Sequence, residues 1–392
     1  MTPARPLVCL VGGPDVDARL DLMRLLSRDF DVLAVGTDAR LAASFADAGF
    51  RYRHYRMSRL VNPILDAYTV WQLVRIFRAE RPAIVHSFDT KPGVWGRVAA
   101  KLAGVPVVVG TLPGLGSLYA NPSWKRSVIR AVYEPLQKLA CRWADMTIFQ
   151  NADDARELER RGVVDSGRKI VIPGSGVRTD VFRPPDGEAS TVERRAELGL
   201  DGNGVLVAMV SRIVRSKGVL DFAAAARRVR RVDPGIGFLL VGPADDESLD
   251  ALTPDELTEL HDSVTWIGPR NDVKEILASA DVFVFPSFYR EGVPRVLLEA
   301  ASMRLPLVAA DGPGSNDVVE HGVNGFVVPP KDAAAIADAV LRLAGNPEVR
   351  ARFGERSRER VVSRFDLSVV AERTRSLYES LLRDKRHPSR SP

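Results

Sequence analysis

The sequence predicts an α/β protein made of two Rossmann-like domains that face each other across a cleft. Short apolar runs rich in Val, Ile and Leu alternate with helical stretches of about 10–20 residues, which is typical of parallel sheets covered on both faces. This alternation runs through a chain of 392 residues, a length that favours two domains over one. A stretch rich in Pro, Gly and charged residues, 183–204, separates two complete strand–helix series.

That stretch sets the predicted domain boundaries. We expect an N-terminal domain at 1–183, a linker at 184–203, a C-terminal domain at 204–365, and a C-terminal helix with a basic tail at 366–392. The predicted strands are 7–13, 31–36, 83–88, 105–112, 146–151 and 169–174 in the first domain, and 205–212, 238–243, 264–268, 281–287, 305–311 and 325–330 in the second.

The composition is that of an ordinary soluble globular protein, with 45% hydrophobic and 27% charged residues. Only two cysteines occur, Cys9 and Cys141, which argues against a disulfide scaffold or a zinc site and favours a reducing cytoplasm. The apolar run at the N-terminus is too short for a signal peptide. No stretch approaches the roughly 20 apolar residues of a membrane span.

Charge is distributed unevenly between the two halves. Residues 1–185 carry 27 basic and 18 acidic side chains, whereas the remainder carries 28 basic and 32 acidic ones. Chance scatter is one explanation. The other is that the first half faces an anionic surface.

The stretch FYREGVPRVLLEA (288–300) holds two carboxylates, Glu291 and Glu299, at the point where a strand gives way to a helix. The preceding run, 281–287, predicts a buried strand, and good helix formers follow Pro294. Glu291 should therefore lie in the strand-to-helix loop and Glu299 just over one turn into the helix. Both are expected near the carboxyl edge of a sheet, where open α/β folds bind ligands.

Two cations are expected at the same edge. Arg212 ends the first strand of the second domain, and Lys217 precedes Gly218 and a helix. Such a pair suits a diphosphate, with each charge-assisted hydrogen bond worth about 1.5–3 kcal/mol. Taken alone, two basic loop residues are more often simply solvated. Carboxylates bind sugar hydroxyls, and backbone N–H groups near Gly292 suit a phosphate, so the combination predicts a nucleotide-sugar site.

Residues 205–345 resemble the retaining glycosyltransferases of family four, which have the GT-B fold. The resemblance rests on SRIVRSKG (211–218), on the Glu-x7-Glu pair, and on GVNGFVVPP (322–330). It implies an enzyme with a UDP-sugar as donor substrate, without a metal or other cofactor and without a nucleic-acid partner.

The resemblance also implies individual roles. Arg212 and Lys217 would hold the donor diphosphate, Glu299 would bind the ribose hydroxyls, and residues 268–273 would line the base pocket. Glu291 would contact the donor sugar and act with the two cations in catalysis. The full set of implied donor-binding residues is Arg212, Lys217, Gly268, Arg270, Asn271, Glu291, Gly292, Val293 and Glu299.

Residues 90–154 are similar to bacterial enzymes that extend undecaprenyl-diphosphate-linked sugars, including the N-acetylgalactosaminyltransferases that act on lipid-linked bacillosamine. The shared features are a Gly-Leu-Gly turn, Gly114–Gly116, and a basic amphipathic helix after it. Cations spaced among apolar residues suit an anionic membrane surface, with about 1 kcal/mol contributed by each. An ordinary surface helix packed on a sheet is the alternative. The cations are Lys125, Arg126, Arg130, Lys138 and Arg142.

Acceptor contacts are expected from the first domain. The glycines Gly12 and Gly13 suit close backbone approach to a ligand, and the Gly-Leu-Gly turn provides Gly114 and Gly116. His86 ends a predicted strand, where it either points into the cleft or is a satisfied structural histidine. Pro113 stands where relatives often have His or Glu. The Asp-x-Asp at Asp15 is expected to be a solvated loop and not a metal site.

The predicted function is therefore a retaining hexosyltransferase acting on lipid-linked glycans in surface polysaccharide or glycoconjugate assembly, with N-acetylhexosamine among the possible sugars. It would work in the cytoplasm, peripherally on the inner membrane. A UDP-sugar 2-epimerase also has two Rossmann-like domains, but it needs acid–base side chains around the sugar, and the chain has only five histidines. A non-catalytic nucleotide-sugar-binding relative is the third alternative.

Overall fold

The computed structural model describes residues 5–58, 62–120, 124–185, 195–196, 204–246, 248 and 250–387. The chain divides into two compact units. The first combines Met1–Pro173 with Leu367–Pro392, and the second is Gly174–Asp366. Each unit is built on one parallel sheet with helices around it, so the predicted α/β class with two Rossmann-like domains is confirmed.

The first unit contains a seven-stranded parallel sheet in the order β3-β2-β1-β4-β5-β6-β7. Strands β1 and β4 are neighbours, so the chain reverses direction across the sheet there and their carboxyl ends form its topological switch point. The strands are β1 (Leu7–Val11), β2 (Asp31–Gly36), β3 (Arg51–His54), β4 (Ile84–Ser87), β5 (Val107–Leu112), β6 (Met146–Phe149) and β7 (Lys169–Val171).

The helices of this unit follow the strands in the usual β–α alternation. They are α1 (Leu20–Leu26), α2 (Leu41–Asp47), α3 (Pro63–Glu80), α4 (Lys91–Ala103), α5 (Ser117–Ala120), α6 (Trp124–Trp143) and α7 (Ala152–Arg160). Helix α4 contacts both α3 and α6 and is buried along most of its length. Since successive strand residues point to opposite faces, Cys9 and Val11 pack in the cluster with α3 and α4, whereas Val8 and Leu10 pack in the cluster on the other face.

The second unit contains a six-stranded parallel sheet in the order β10-β9-β8-β11-β12-β13. Its strands are β8 (Leu206–Val210), β9 (Gly237–Val241), β10 (Thr265–Trp266), β11 (Val282–Phe285), β12 (Leu307–Ala310) and β13 (Gly325–Val328). The switch point lies between β8 and β11. The helices are α8 (Val219–Val232), α9 (Pro254–Ser263), α10 (Val273–Ser279), α11 (Arg295–Ser302), α12 (Ser315–Val318), α13 (Ala333–Ala344) and α14 (Pro347–Arg364).

The C-terminal helix α15 (Leu367–Arg386) returns to the first unit and packs on α1 and β5. Its apolar side chains, among them Leu377 and Tyr378, belong to the core of the first sheet.

The division into two units differs from the predicted domain boundaries at two places. The second unit begins at Gly174, ahead of the predicted end at 183, because residues such as Val177 and Phe182 pack in its core. The predicted C-terminal segment is part of the first unit. No helix in the described part of the chain is long and apolar enough to cross a membrane.

Candidate active site

Three loops at the carboxyl edge of the second sheet are held together by Gly242, the residue after β9. Its φ is 141°, and a Cβ there would lie 1.8 Å from the carbonyl oxygen of Ser211. Its N–H donates to the carbonyl of Gly268 at 2.8 Å, and its own carbonyl accepts from Trp266 Nε1 at 2.9 Å. The loops after β8, β9 and β10 therefore meet at a position that only glycine fits.

Arg212 lies in the loop after β8, beside this junction. Its Nη1 donates to Asp245 Oδ2 at 2.6 Å, and 52% of its side chain is exposed. Asp245 thus orients the guanidinium at the sheet edge without burying it. An exposed, oriented guanidinium is suited to bind an incoming phosphate.

Lys217 ends a single 3-10 turn, Arg215–Lys217, in the same loop. The next residue, Gly218, has a φ of 74°, and a Cβ there would lie 2.3 Å from the carbonyl of Pro286. The carbonyl of Ser216 also accepts the backbone N–H of Tyr289 at 3.1 Å. These contacts fix the Lys217 loop against the segment after β11, across the switch point of the sheet.

Lys217 and Glu291 form an ion pair across that switch point. Lys217 Nζ donates to Glu291 Oε1, and the Ser287 hydroxyl donates to the same oxygen at 3.3 Å. The ammonium also lies 5.1 Å from the ring centre of Tyr289, and both charged side chains are mostly buried. The pair thus brings together an ammonium, which is able to bind a phosphate, and a carboxylate, which is able to accept hydrogen bonds from hydroxyl groups.

Glu299 lies in the second turn of α11, as the sequence predicts. Its Oε1 accepts from Arg295 Nε at 2.9 Å, one helical turn before it. Burial raises the pKa of Glu299, and the charge of Arg295 opposes this shift. A buried carboxylate close to a ligand-binding edge forms strong hydrogen bonds with hydroxyl groups because little water competes for it.

The segment that joins Glu291 to α11 contacts a second glycine loop. Gly314 has a φ of 77°, and a Cβ there would lie 1.4 Å from the carbonyl of Gly292, so the loop after β12 requires glycine here. The side chain of Val293 is buried in the core and lies against Gly174. The predicted donor contact of Val293 can therefore involve only its main chain, since its side chain is a packing group.

The predicted base pocket lies on the loop between β10 and α10. Gly268 has a φ of 72°, and the space where its Cβ would lie is empty within 4 Å. Arg270 pairs with Asp272 through Nε at 2.8 Å, and this contact holds the pKa of the carboxyl below its usual range. Asn271 is exposed between them. These residues share the carboxyl edge with Arg212 through the Gly242 junction.

In the first unit, Gly12 and Gly13 follow β1 at the switch point of the sheet. The carbonyl of Gly12 accepts from the buried Tyr55 hydroxyl at 2.9 Å, and the N–H of Gly13 donates to Asp89 Oδ2 at 3.3 Å. Asp89 follows β4 and has a φ of 66°, which a residue other than glycine adopts only at a cost of about 1–3 kcal/mol. Arg19 Nη2 lies 3.8 Å from Asp89 Oδ1.

Asp89 was not predicted as a site residue. The side chain of Asp89 is 30% exposed, so it is accessible at the edge of the sheet. Partial burial raises the pKa of its carboxyl, and the charge of Arg19 opposes this shift. Strained non-glycine residues of this kind concentrate at ligand sites. No local sequence signal points to Asp89, because a left-handed Asp after a strand cannot be distinguished by sequence from one in an ordinary turn.

His86 does not line a ligand site, and the alternative of a structural histidine holds. The ring is buried within β4, where Nδ1 lies 2.5 Å from the Tyr378 hydroxyl and Nε2 lies 2.6 Å from Thr111 Oγ1. Burial lowers the pKa of His86 to about 3. Both ring nitrogens are therefore engaged in the core of the first unit, and the imidazole is neutral.

The Gly-Leu-Gly turn follows β5 and leads into α5 at the carboxyl edge of the first sheet. Gly116 has a φ of 64°, and its carbonyl accepts the N–H of Tyr119. Leu115 is buried between Gly114 and Gly116 and anchors the turn. The two glycines thus occupy the same edge as Gly12 and Asp89.

Helix α6 has the amphipathic surface predicted for it. Five large apolar side chains are exposed: Trp124, Val128, Ile129, Val132 and Leu139. Lys138 and Arg142 are exposed, and Arg130 is half-buried and donates to Ser127 Oγ at 3.0 Å. The side chains of Lys125 and Arg126 lie outside the described part of the structure.

Sequence comparison assigns the family. Residues 12–175 match the family described as "Glycosyl transferase 4-like domain", and residues 191–360 match "Glycosyl transferases group 1". Across 384 residues, the chain is 30% identical to an Escherichia coli protein, "UDP-Gal:alpha-D-GlcNAc-diphosphoundecaprenol alpha-1,3-galactosyltransferase", covering 97% of this chain and 96% of the relative. The chain belongs to the group 1 glycosyltransferases.

Another relative of this glycosyltransferase is the "N,N'-diacetylbacillosaminyl-diphospho-undecaprenol alpha-1,3-N-acetylgalactosaminyltransferase" of Campylobacter jejuni. It is 25% identical over 373 residues, which cover 93% of this chain and 96% of the relative. Membership of a glycosyltransferase family decides for a transferase over the epimerase and the non-catalytic relative.

Solved structures confirm the GT-B fold of this glycosyltransferase. The Anabaena protein HepE, solved in complex with UDP, superposes with a TM-score of 0.77 at 20% identity, covering 96% of this chain and all of that one. Sucrose-phosphate synthase from Thermosynechococcus elongatus gives 0.78 at 22% identity, covering 97% of this chain and all of the other. At these identities the likeness shows the fold alone.

Two charged residues at the second sheet edge were missed by sequence reasoning. Asp245 orients Arg212, and Lys331, with a φ of 62°, places its ammonium 4.5 Å from the ring centre of Phe288. Lys331 follows β13, so its approach to the segment after β11 depends on strand order, which the sequence does not specify.

The described residues include no group of three or more His, Cys, Asp or Glu placed to hold a metal ion.

Proposed function

We propose that this glycosyltransferase moves a hexose from a UDP-sugar to a lipid-linked, undecaprenyl-diphosphate acceptor, with retention of configuration and without a metal. The observation that carries the proposal is the near full-length similarity to the E. coli enzyme, whose name specifies a UDP-linked donor and a diphosphoundecaprenol acceptor. The C. jejuni relative is also named for a diphospho-undecaprenol acceptor.

The donor half of the proposal is supported by the edge of the second sheet. Arg212 and Lys217 supply two cations for a diphosphate. Glu291, which is in contact with Lys217, supplies carboxylate oxygens that accept hydrogen bonds from the sugar attached to that diphosphate. Glu299 supplies a buried carboxylate for the ribose hydroxyls. In a nucleotide-sugar, a negatively charged diphosphate lies between two rings that carry hydroxyl groups. Two cations with a carboxylate on either side therefore complement its charges and hydrogen-bond donors.

The acceptor half is supported by the switch point of the first sheet. Gly12 and Gly13 permit close approach of a ligand to the backbone, and the strained Asp89 presents a carboxylate beside them. We propose that Asp89 accepts hydrogen bonds from the hydroxyls of the acceptor sugar. The Gly-Leu-Gly turn, Gly114–Gly116, borders the same edge.

The membrane partner is proposed from helix α6. Its exposed apolar residues alternate with Arg130, Lys138 and Arg142, a distribution suited to the surface of an anionic bilayer. Contact with the cytoplasmic face of the inner membrane would keep the reactive end of a lipid-linked acceptor within reach of the first unit.

In the proposed reaction the acceptor hydroxyl forms the new glycosidic bond on the face from which the UDP phosphate leaves. The bond between the anomeric carbon and the phosphate oxygen breaks, and that phosphate takes the hydroxyl proton. Arg212 and Lys217 stabilise the negative charge that develops on the leaving diphosphate. No protein base is required in this scheme, which is consistent with a neutral, buried His86.

The test is a transfer assay with UDP-galactose, UDP-N-acetylgalactosamine and GDP-mannose against undecaprenyl-diphosphate N-acetylglucosamine, in EDTA. We expect a UDP-sugar to yield a lipid-linked disaccharide with the α-configuration retained. A β-linked product would contradict retention, and a requirement for added Mg²⁺ would contradict the metal-independent site. Transfer from GDP-mannose alone would contradict the donor assignment.

A further inference from the structure

Helix α3 has an exposed apolar face that the donor and acceptor sites leave unexplained. Ile64 is 81% exposed and Trp71 is 50% exposed, and Leu65 and Tyr68 are exposed beside them. The same helix buries Leu73 and Phe77 against the first sheet. A helix that is apolar on both its inner and outer faces has a second apolar environment to contact.

The exposed residues form one continuous patch, the α3 patch, defined here as Ile64, Leu65, Tyr68 and Trp71. Their spacing of one, four and seven residues places them on one side of the helix over two turns. The rings of Tyr68 and Trp71 stack with their centres 5.6 Å apart. Tyr and Trp with a polar group at the rim are the aromatic side chains enriched at membrane–water interfaces.

The charges around the α3 patch are positive. Arg75 follows one turn later and lies 4.8 Å from the ring centre of Trp71. Arg56 is exposed and its main chain is hydrogen-bonded to Thr69 and Gln72 of the helix. Helix α3 contains two acids. Asp66 is buried and paired with Lys91 at 2.7 Å, and Glu80 ends the helix, where it pairs with Arg51 and Arg53.

The α3 patch lies at the same edge of the first unit as the apolar part of α6. Thr69 and Gln72 contact Arg56, two residues after β3 ends, so the turns before them extend past the carboxyl edge of the sheet. On α6, Glu134 accepts from the Tyr119 hydroxyl at 3.0 Å, and Tyr119 lies in α5, which follows the carboxyl end of β5. Residues 124–133 precede Glu134 on α6 and therefore extend towards and past that edge. Helix α4 packs against both helices, so two typical helix spacings of about 8–10 Å each would place the axes of α3 and α6 up to about 16–20 Å apart.

We propose that the first two turns of α3 form a second membrane contact, so that the first unit binds an anionic bilayer through two parallel apolar ridges, one on α3 and one on α6. The occupant is a lipid surface and not a protein, because two separated apolar ridges rimmed by arginines match a flat, negatively charged interface. This proposal rests on the proposed function in one respect: a lipid-linked acceptor explains why the enzyme would bind a membrane.

Two contacts on either side of α4 have a consequence for the acceptor site. A single amphipathic helix can roll on a bilayer, whereas two ridges fix the orientation of the unit. The carboxyl edge, which carries Gly13 and Asp89 at the switch point, then faces the bilayer surface where a lipid diphosphate emerges.

The experiment measures binding of the full-length protein to vesicles of phosphatidylglycerol and phosphatidylethanolamine by co-sedimentation. A triple variant, Ile64→Ser, Tyr68→Ser and Trp71→Ser, should lower the partition coefficient by about tenfold or more, given about 0.8 kcal/mol for each buried CH₂ group. The matched control is Val232→Ser with Val362→Ser, which removes exposed apolar groups from the second unit and should leave binding unchanged.

A second readout locates the helix in the bilayer. Fluorescence of the wild-type protein should be quenched by vesicles of brominated lipid more strongly than that of Trp71→Phe, since bromine quenches only tryptophans in contact with acyl chains. Equal quenching of both proteins, or unchanged partition of the triple variant, would overturn the proposal. A change in oligomeric state without a change in vesicle binding would also overturn it in favour of self-association.

Failure of the proposed function gives a different pattern. Vesicle binding requires neither donor nor acceptor, so the α3 result is readable even if no sugar is transferred. The triple variant should retain UDP binding and should transfer normally to a short, water-soluble acceptor analogue, while its KM for the vesicle-embedded acceptor rises.

Discussion

At the scale of single residues, the proposed donor site contains two cations, and each is paired with an acidic neighbour. Asp245 orients Arg212, and Glu291 pairs with Lys217 across the switch point of the second sheet. The sequence predicted Arg212, Lys217 and Glu291 as site residues, but it predicted neither Asp245 nor the pairing of Lys217 with Glu291. The Lys217–Glu291 contact joins residues that are 74 positions apart, and such a pairing depends on strand order and not on local pattern.

Replacing either cation tests the phosphate assignment. Arg212→Ala and Lys217→Ala should each lower turnover by about 10²-fold, the scale of losing one donor to a developing charge. Arg356→Ala is the matched control, since Arg356 is also an exposed arginine paired with an acid in the second unit. Steady-state transfer kinetics give the comparison, and near-normal turnover of both site variants would remove the phosphate role.

Asp89 gives a prediction for the acceptor side. Asp89→Asn keeps the shape and tolerates the left-handed backbone but removes the charge. The KM for acceptor should rise about 10-fold or more, because hydrogen bonds to charged groups contribute about 1.5–3 kcal/mol, whereas the Kd for UDP should not change. Asp47→Asn, an exposed change at the end of α2, is the control. An unchanged acceptor KM would show that Asp89 has a structural role only.

His86 gives a prediction for stability. Its pKa is lowered by burial from 6.5 to about 3, so between these values the unfolded chain binds more protons than the folded one. The free energy of unfolding should therefore fall as the pH drops below about 6.5, with a slope of up to about 1.4 kcal/mol per pH unit from this residue.

The matched variant is His86→Gln, which retains hydrogen-bonding capacity but does not titrate. In urea unfolding across the acid range, the free energy of unfolding of this variant should depend less steeply on pH than that of the wild type. The folded variant should still transfer sugar. Turnover reduced a hundredfold in a variant that is fully folded would instead return His86 to the site.

At the scale of elements, the strands with apolar runs were predictable and the polar one was not. The structure contains every predicted strand, and it adds β3, Arg51–His54, which carries no aliphatic residue. Among the described residues β3 pairs with β2 at the edge of the sheet, so its side chains are largely exposed and no hydrophobic pattern is required. Periodicity reports burial, and an exposed edge strand gives no such signal.

The orientation of His86 shows the same limit for a strand that was predicted correctly. The prediction that His86 belongs to a strand holds, but its ring faces α15, whose Tyr378 lies 292 positions away. Residue order gave no reason to place the last helix of the chain on the first sheet. A side chain on a central strand points towards whatever element covers that face, and this one is covered by a distant segment.

The glycine junction of the second sheet gives a prediction at this scale. Gly242→Ala places a Cβ 1.8 Å from the carbonyl of Ser211 at a φ of 141°, so the loops after β8 and β9 must separate. We expect a loss of about 1–3 kcal/mol or more in the free energy of unfolding and weaker UDP binding, because Arg212 adjoins Ser211. Gly345→Ala, at an ordinary helical φ, is the control. A variant with wild-type stability and UDP affinity would contradict this role.

At the scale of the whole molecule, the chain is a GT-B glycosyltransferase whose two units carry different chemistry at their sheet edges. The first has neutral glycine loops, Asp89 and apolar ridges on α3 and α6, and the second has the cations and carboxylates suited to a nucleotide-sugar. The excess of basic residues in positions 1–185 supports the proposal that the first unit meets an anionic surface.

We propose that the edge of the second unit binds a UDP-sugar without a metal. The most direct measurement is calorimetric titration of the full-length protein with UDP, GDP and ADP in EDTA. We expect UDP to bind in preference to GDP and ADP, and we expect that binding to be lost in Arg212→Ala but not in Arg356→Ala. Absence of UDP binding at millimolar concentration, or equal binding by Arg212→Ala, would contradict it.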